Sequence, residues 1–312
     1  MNFRNVKIFF IVLLVAVNIF LLFSYMSSDI RSSHIDDETI NNITQVLSSH
    51  GVTVNTQTIP RESYRADIIE ASFDAGYYER VAQAVSMSEK ESVNIMPDNS
   101  LRIIMKNGDS FTLDRRFGFE FVSESMTPMS ISEFAAIFSA EENAFGLGFA
   151  KTSLTSDEKK LVNALLAPES MTNADSPFAY KLTAVYSNDS AKVVVCDQTV
   201  DGTNVHEHTM YIEITNGSIS RAAGIWFFAE SMERYSSNLY DQLSVLFAEL
   251  DHKNSIPAEN AVSEYSITDM GFTYCIYWNT RQDGLFLIPA WEIVTDRDET
   301  RIYNAVNCEL YE

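Results

Sequence analysis

The chain has 312 residues, with 43 acidic and 22 basic side chains and a formal net charge of −21 at pH 7. Nucleic-acid binding requires clustered cations that contact phosphates, so this charge argues against a nucleic acid as partner. It also disfavours direct adhesion to an anionic membrane surface. A chain of this length with 46% hydrophobic residues can bury large cores, and we expect two domains outside the first segment.

The first predicted element is a transmembrane helix at residues 8–26. The run is apolar except for Asn18 and Ser24. At 1.5 Å per residue it reaches roughly 28 Å, about the thickness of the hydrocarbon core of a bilayer. Arg4 and Lys7 precede it, and mostly acidic residues follow it. This asymmetry predicts a cytoplasmic N-terminus at residues 1–7, a single span in the cell membrane and extracellular domains after it.

A cleaved signal peptide is the alternative interpretation, because it also begins with a charged segment. The apolar part of a signal peptide spans about 7–15 residues and ends at small side chains. Here Tyr25 and Met26 stand where small residues are required, which favours an uncleaved anchor. Asn18 lies near the middle of the span, where its amide bonds a neighbouring helix, bonds its own helix backbone or stays exposed to lipid.

Residues 27–170 are predicted to form a membrane-proximal α+β domain. A strong hairpin signal lies at 101–113, because Asn107-Gly108 supplies the positive φ angles of a type I′ turn. The other predicted elements are a helix ending at His50-Gly51, strands at 52–54 and 66–73, and helices at 77–86, 131–145 and 155–166.

A linker-like segment at 167–178 precedes a predicted C-terminal α+β domain at 178–312. We expect one amphipathic helix at 238–250, which turns Leu239, Leu243, Leu246, Phe247 and Leu250 inward, and a short helix at 257–262. Predicted strands lie at 180–186, 191–198, 208–215, 218–228, 273–278, 285–294 and 300–306. The predicted fold class is therefore α+β, in which a single N-terminal transmembrane helix precedes antiparallel sheets that each pack against helices, in two extracytoplasmic subdomains.

The pair His206 and His208 is the one metal-site candidate in the sequence. Residues i and i+2 of a strand share a face, so both imidazoles could meet one zinc ion. No third ligand follows at a characteristic spacing, and we favour an exposed loop or strand start with no metal and no cofactor. The acids at 141–142 and 296–299 are interpreted as solvated, and the aromatic strands at 226–228 and 274–278 as core rather than recognition surface.

The remaining motifs do not indicate a familiar enzyme. HExxH, GxSxG, the P-loop and GxGxxG are all missing from the sequence. The three cysteines, Cys196, Cys275 and Cys308, are too few for a disulfide-built scaffold, although one bridge with an odd thiol stays open. Taken alone, the residues indicate a membrane-tethered binding module that is not an enzyme.

Both ends of the chain resemble the YycI/YycH (WalI/WalH) family of Gram-positive bacteria. At the start, the resemblance lies in the short basic segment, the span at 8–22 and the helix that ends in Gly51-Val52-Thr53-Val54. At the end, Ile288-Pro289-Ala290-Trp291-Glu292-Ile293 followed by Ile302-Tyr303-Asn304-Ala305 is similar to the closing Pro-Ala-Trp strand and its partner in YycI-type proteins, and also to PepSY-like modules. The chain departs from that pattern after Ala305, where the usual acidic-Gly pairing is replaced by Val306-Asn307-Cys308-Glu309.

The resemblance implies a non-enzymatic accessory protein of a YycG/WalK-type sensor histidine kinase that controls cell-wall metabolism. It implies contacts with the transmembrane helices of the kinase and with a YycH-type partner protein. The candidate contact residues in the span are then Asn18, Phe10, Leu14 and Leu21. Two other hypotheses stay open: a PepSY-like extracellular inhibitor or chaperone of a hydrolase, and a cell-wall enzyme that uses His206 and His208.

Overall fold

A computed structural model describes most of the chain after the predicted span. The described residues are 35–72, 82, 86, 88–97, 100–114, 118–166, 178–226, 231–256, 264–278 and 285–311. Three predicted segments lie outside these ranges. They are the span at 8–26 with Asn18, Phe10, Leu14 and Leu21, residues 167–177 of the linker-like segment, and the helix at 257–262. Within the described ranges, no helix combines the length and the apolar composition that crossing a bilayer requires.

The described part contains five helices and fifteen strands. The helices are α1 (Asp37–Ser49), α2 (Ile131–Phe138), α3 (Glu141–Gly146), α4 (Ser156–Leu166) and α5 (Gln242–Ser255). The strands are β1 (Val52–Val54), β2 (Asp67–Ser72), β3 (Lys90–Ile95), β4 (Leu101–Met105), β5 (Ser110–Leu113), β6 (Gly118–Val122), β7 (Ala150–Lys151), β8 (Phe178–Ser187), β9 (Lys192–Val200), β10 (Thr203–Thr215), β11 (Ser218–Ile225), β12 (Ser231–Ser236), β13 (Tyr265–Trp278), β14 (Leu285–Thr295) and β15 (Thr300–Asn304).

The predicted α+β class with separate antiparallel sheets is wrong. Of the described residues, 46% are in strands and 24% in helices, so the chain is mostly β. The strands belong to one large mixed sheet, in which β1 and β10 each pair with β13 in parallel. Sequence periodicity detects individual strands and hairpins, but these two parallel pairs join residues that are 213 and 69 positions apart, and no local pattern specifies them.

Two compact units divide the described residues. The first unit contains the residues up to Ala66, Asn238–Gly271 and the residues from Ala290 onward, and the second contains Asp67–Ser237 and Phe272–Pro289. Each unit is therefore built from separated segments. The predicted boundary between residues 170 and 178 lies outside the described residues.

The second unit buries both faces of its central strands. On β9, Val194 and Cys196 pack in one hydrophobic cluster, which α4 covers with Val162 and Leu165. Val193 and Val195 belong to a second cluster, which α2 and α3 cover with Phe134, Phe138 and Ala144. Successive side chains of a strand point to opposite faces, so a continuous apolar run is what burial on both faces requires.

The two predicted Asn-Gly hairpins exist, but their turns differ. Asn216 and Gly217 have φ angles of 53° and 76°, as a two-residue type I′ turn between β10 and β11 requires. In the β4–β5 hairpin only Gly108 has a positive φ, of 88°, and its N–H donates to Met105 O at 2.9 Å. This is a three-residue loop with a glycine bulge, so the predicted type I′ turn at 107–108 is wrong while the hairpin is confirmed.

The first unit is organised around α1 and α5. Asp36 caps α1 by accepting from Thr39 N at 2.7 Å, and the helix buries Ile40, Ile43 and Leu47. The chain then enters β1, whose residues 52–54 pair in parallel with residues 265–267 of β13. Antiparallel pairing of residues 290–294 in β14 with residues 300–304 in β15 completes the strands of this unit.

Candidate functional site

The buried face of α5 is partly polar, unlike the predicted one. Its buried residues are Gln242, Val245, Leu246, Glu249, Leu250 and Lys253. The predicted inward residue Phe247 is 44% exposed, and Leu239 precedes the helix. The predicted burial of Leu246 and Leu250 is confirmed, whereas that of Phe247 is wrong. The buried polar residues of α5 have partners in other elements, which the sequence pattern of one helix does not reveal.

Glu249 is the centre of a polar cluster in the first unit. Its side chain is fully buried, and its carboxylate accepts hydrogen bonds from the hydroxyls of Tyr265 and Tyr303, the latter at 2.5 Å. Arg301 of β15 donates to the same carboxylate and also to Glu299, at 2.5 Å. We call Glu249, Lys253, Tyr265, Arg301 and Tyr303 the α5 polar cluster. Both carboxylate oxygens of Glu249 are thus satisfied by donors from strands.

Two cations of the α5 polar cluster lie near the ring of Tyr265. The Arg301 guanidinium is 5.1 Å from the ring centroid and the Lys253 ammonium is 5.4 Å from it. Lys253 also donates to the backbone carbonyl of His50 at 2.6 Å, where α1 ends, and a cation there complements the helix dipole. Burial, together with the Glu249 carboxylate, raises the pKa of both tyrosines, so their hydroxyls stay protonated donors.

This arrangement stabilises the packing of the first unit and does not form a catalytic or binding site. The five side chains come from α5, β13 and β15, and Lys253 adds a contact to the end of α1. Glu249 is enclosed, and its oxygens are already occupied by donors, so it offers no position for a substrate or a cation. No sequence pattern indicates the cluster directly, because Glu249 and Lys253 at i, i+4 are typical of a solvated helix face.

The two histidines lie within β10 and do not form a metal site. His208 is 6% exposed and its Nδ1–H donates to Gln198 Oε1 at 3.0 Å, so the expectation of an exposed loop or strand start is wrong. Glu207 between them has a φ of 59°, and the β9–β10 register shifts at this point. The extended geometry that would place both imidazoles on one face is therefore lost. No group of His, Cys, Asp and Glu in the described ranges could hold a metal ion.

Several of the other candidate groups have structural partners or are buried, and Tyr277 is exposed. Glu141 pairs with Lys151, and Asp296 accepts from Ser266 N at 3.1 Å in the turn after β14. Trp226 is buried, and in β13 Tyr274 is buried while Tyr277 is 52% exposed. Cys196, Cys275 and Cys308 are all free, which removes the disulfide alternative.

His208 is predicted to make stability fall on acidification. Burial first, and the charge of nearby His206 second, lower its pKa from 6.5 to about 4. The unfolded chain therefore binds a proton between pH 6.5 and 4 that the folded chain does not, and stability decreases as pH falls through this window. We expect this residue to contribute a loss of about 2–3 kcal/mol between pH 7.5 and 4.5.

The measurement is urea unfolding of wild type and His208→Gln at both pH values. The neutral amide cannot be protonated, so the variant should lose about 2–3 kcal/mol less than wild type on acidification. His50→Gln, at an exposed position, is the matched control and should behave as wild type does. Equal pH dependence in wild type and His208→Gln would show that this histidine does not carry the effect.

Comparison with family models and with curated protein sequences does not identify the chain. No family model matches it, and no curated protein matches it in sequence. The resemblance to the YycI/YycH family at the two ends of the chain stays a prediction.

Proposed function

We propose that the chain is a membrane-anchored extracytoplasmic accessory protein that regulates a YycG/WalK-type sensor histidine kinase by forming a complex with it. The observation that carries the proposal is the apolar run at 8–26, with Arg4 and Lys7 before it and an acidic chain after it. Helices in lipid associate through packing and occasional polar bonds, which Asn18, Phe10, Leu14 and Leu21 can supply.

The packing of α1 in the first unit supports a mechanical link between the predicted span and the outer domains. α1 begins at Asp37, eleven positions after the last residue of the predicted span. It is held by buried Ile40 and Leu47 and by the Lys253 contact at its end. A helix held in this way passes a displacement of its N-terminus to the strands, which is what regulation by binding on either side of the membrane needs.

The closing strands are consistent with the resemblance. The Pro-Ala-Trp segment lies in β14 and pairs with β15, so that Ala290 faces Asn304 and Trp291 faces Tyr303. Trp291 is buried, its indole N–H donates to Tyr240 O at 3.0 Å, and the ring of Tyr64 packs edge-on against it at 5.3 Å. Ala290, Trp291 and Tyr303 are therefore core residues of the first unit.

Exchange of residues 8–26 for an unrelated apolar helix of equal length tests the proposal. The outer domains should stay folded, while transcription controlled by the kinase and its response regulator should lose its dependence on this protein. Asn18→Leu should weaken regulation by up to about thirtyfold, because an interhelical polar bond contributes about 1–2 kcal/mol in model systems.

Crosslinking from residue 18 in intact cells identifies the partner directly. Capture of a histidine kinase supports the proposal, and unchanged kinase output after the span exchange contradicts it. Phe20→Leu, an apolar exchange within the same span, is the matched control and should leave regulation intact. If the anchor-free outer part inhibits an extracellular hydrolase while the span exchange has no effect, the PepSY-like alternative replaces the proposal.

A further inference from the structure

The dipeptide Asn-Gly occurs twice in the sequence, at 107–108 and at 216–217, and each pair lies at the tip of a hairpin. Both asparagines are exposed to water. In an Asn-Gly pair the backbone nitrogen of glycine can attack the side-chain amide of asparagine, because glycine has no side chain that hinders the approach. The attack requires that the nitrogen and the amide are free to meet, and the two pairs differ in this respect.

Hydrogen bonds hold both reacting groups of the first pair. The N–H of Gly108 donates to Met105 O at 2.9 Å. The Asn107 side chain donates from Nδ2 to Asp109 Oδ2 at 2.8 Å. Its Oδ1 accepts from Asp109 N and from Ser86 Oγ, both at 3.2 Å. The nitrogen that would attack and the amide that would be attacked are therefore each engaged elsewhere, and these bonds must open before they can react.

The second pair has no such bonds. In the part of the chain that the structure describes, neither the N–H of Gly217 nor the side chain of Asn216 has a hydrogen-bond partner. The two-residue type I′ turn accounts for this, because the strands pair through Thr215 and Ser218 and leave the two residues between them outside the ladder. Exposed loop tips also change conformation in nanoseconds to microseconds, so the side chain of Asn216 can sample the geometry of attack.

We propose that Asn216 is a site of spontaneous deamidation and that the hydrogen bonds of the first pair protect Asn107. The nitrogen of Gly217 loses its proton to water and bonds to Cγ of Asn216, and the Cγ–Nδ2 bond breaks with release of ammonia. Water then opens the cyclic imide. Addition at Cγ gives aspartate, whereas addition at the backbone carbonyl carbon gives isoaspartate. In sum one water molecule is consumed and one ammonia molecule is released, with no oxidation or reduction.

Both products change the turn between β10 and β11. Each adds one negative charge to a chain whose net charge is −21. Isoaspartate also inserts a carbon atom into the backbone of a turn whose two-residue length matches the twist of its strands. We therefore expect isoaspartate to weaken the pairing of Thr215 with Ser218.

Peptide mapping by mass spectrometry tests the proposal. The folded full chain in detergent is incubated at mildly alkaline pH, and aspartate and isoaspartate are quantified at both positions over time. Each hydrogen bond that must open slows the attack, so product should form at least about tenfold faster at Asn216 than at Asn107. Asn216→Gln should abolish the product at its own position and leave the rate at Asn107 unchanged, because glutamine would have to close a larger ring, which forms more slowly.

The same incubation in urea separates the effect of structure from that of sequence. Both sites are Asn-Gly pairs, so their rates should become similar once the hydrogen bonds of Asn107 and Gly108 are lost. Equal rates at Asn216 and Asn107 in the folded chain would overturn the proposal. A rate ratio that urea leaves unchanged would also overturn it, because the difference would then come from the neighbouring sequence. The measurement involves no kinase, so its failure is distinguishable from failure of the proposed function.

Discussion

Replacement of Glu249 by alanine is expected to lower the free energy of unfolding by about 3–5 kcal/mol. The carboxylate accepts from Tyr265, Tyr303 and Arg301, and it is fully buried. Without it, the guanidinium loses its buried partner and two tyrosine hydroxyls lose their acceptor. Removal of one member of a buried ion pair costs more than the net contribution of the pair, because the other charge is left uncompensated.

Equilibrium urea unfolding of the full chain in detergent measures this loss. Asp251→Ala, two positions away on the exposed side of α5, is the matched control and should change stability by no more than about 0.5 kcal/mol. Glu249→Gln keeps the size of the side chain and one acceptor oxygen, so it should be less destabilising than alanine. Glu249→Ala with the stability of the Asp251→Ala control would show that the α5 polar cluster does not hold the first unit together.

Local sequence signals predict those helices whose buried face consists of apolar residues. The predicted helix that ends at His50-Gly51 is confirmed as α1, which buries Ile40, Ile43 and Leu47 while Val46 is 41% exposed. The predicted helix at 155–166 is confirmed as α4, and Thr155 caps it by accepting from Glu158 N at 3.3 Å. The predicted helix at 131–145 is instead two helices, separated at residues 139–140.

Non-local partners decided what the sequence could not predict. The sequence patterns do not predict β3, β6 and β12. These strands are short and mix polar with apolar residues, and they form by pairing with β4, β11 and β2. Glu249 became a core residue through hydroxyls and a guanidinium that are 16 to 54 positions away in the chain. The candidate contact residues of the span lie outside the described ranges, so that part of the prediction rests on the sequence.

Gly224→Ala is the second substitution with a large expected effect. Gly224 lies in β11 opposite Met210 of β10. A Cβ atom at this position would lie 2.3 Å from Thr209 O and 2.6 Å from the Cα of Met210, closer than side-chain carbons approach other atoms in proteins. Both neighbours are backbone atoms of a paired strand and cannot rotate away. The added methyl group should therefore separate β10 from β11 locally and cost about 3 kcal/mol or more.

Gly271→Ala in β13 is the matched control, because a Cβ atom there meets no heavy atom within 4 Å. Alanine restricts the unfolded chain more than glycine does, so this variant should be neutral or up to about 1 kcal/mol more stable than wild type. If the close approach of the two backbones requires glycine at position 224, urea unfolding should show changes in the free energy of unfolding that have opposite signs in the two variants. Similar stabilities for the two variants would mean that β10 and β11 can separate at low cost, and that the tight β10–β11 contact does not constrain the sheet of the second unit.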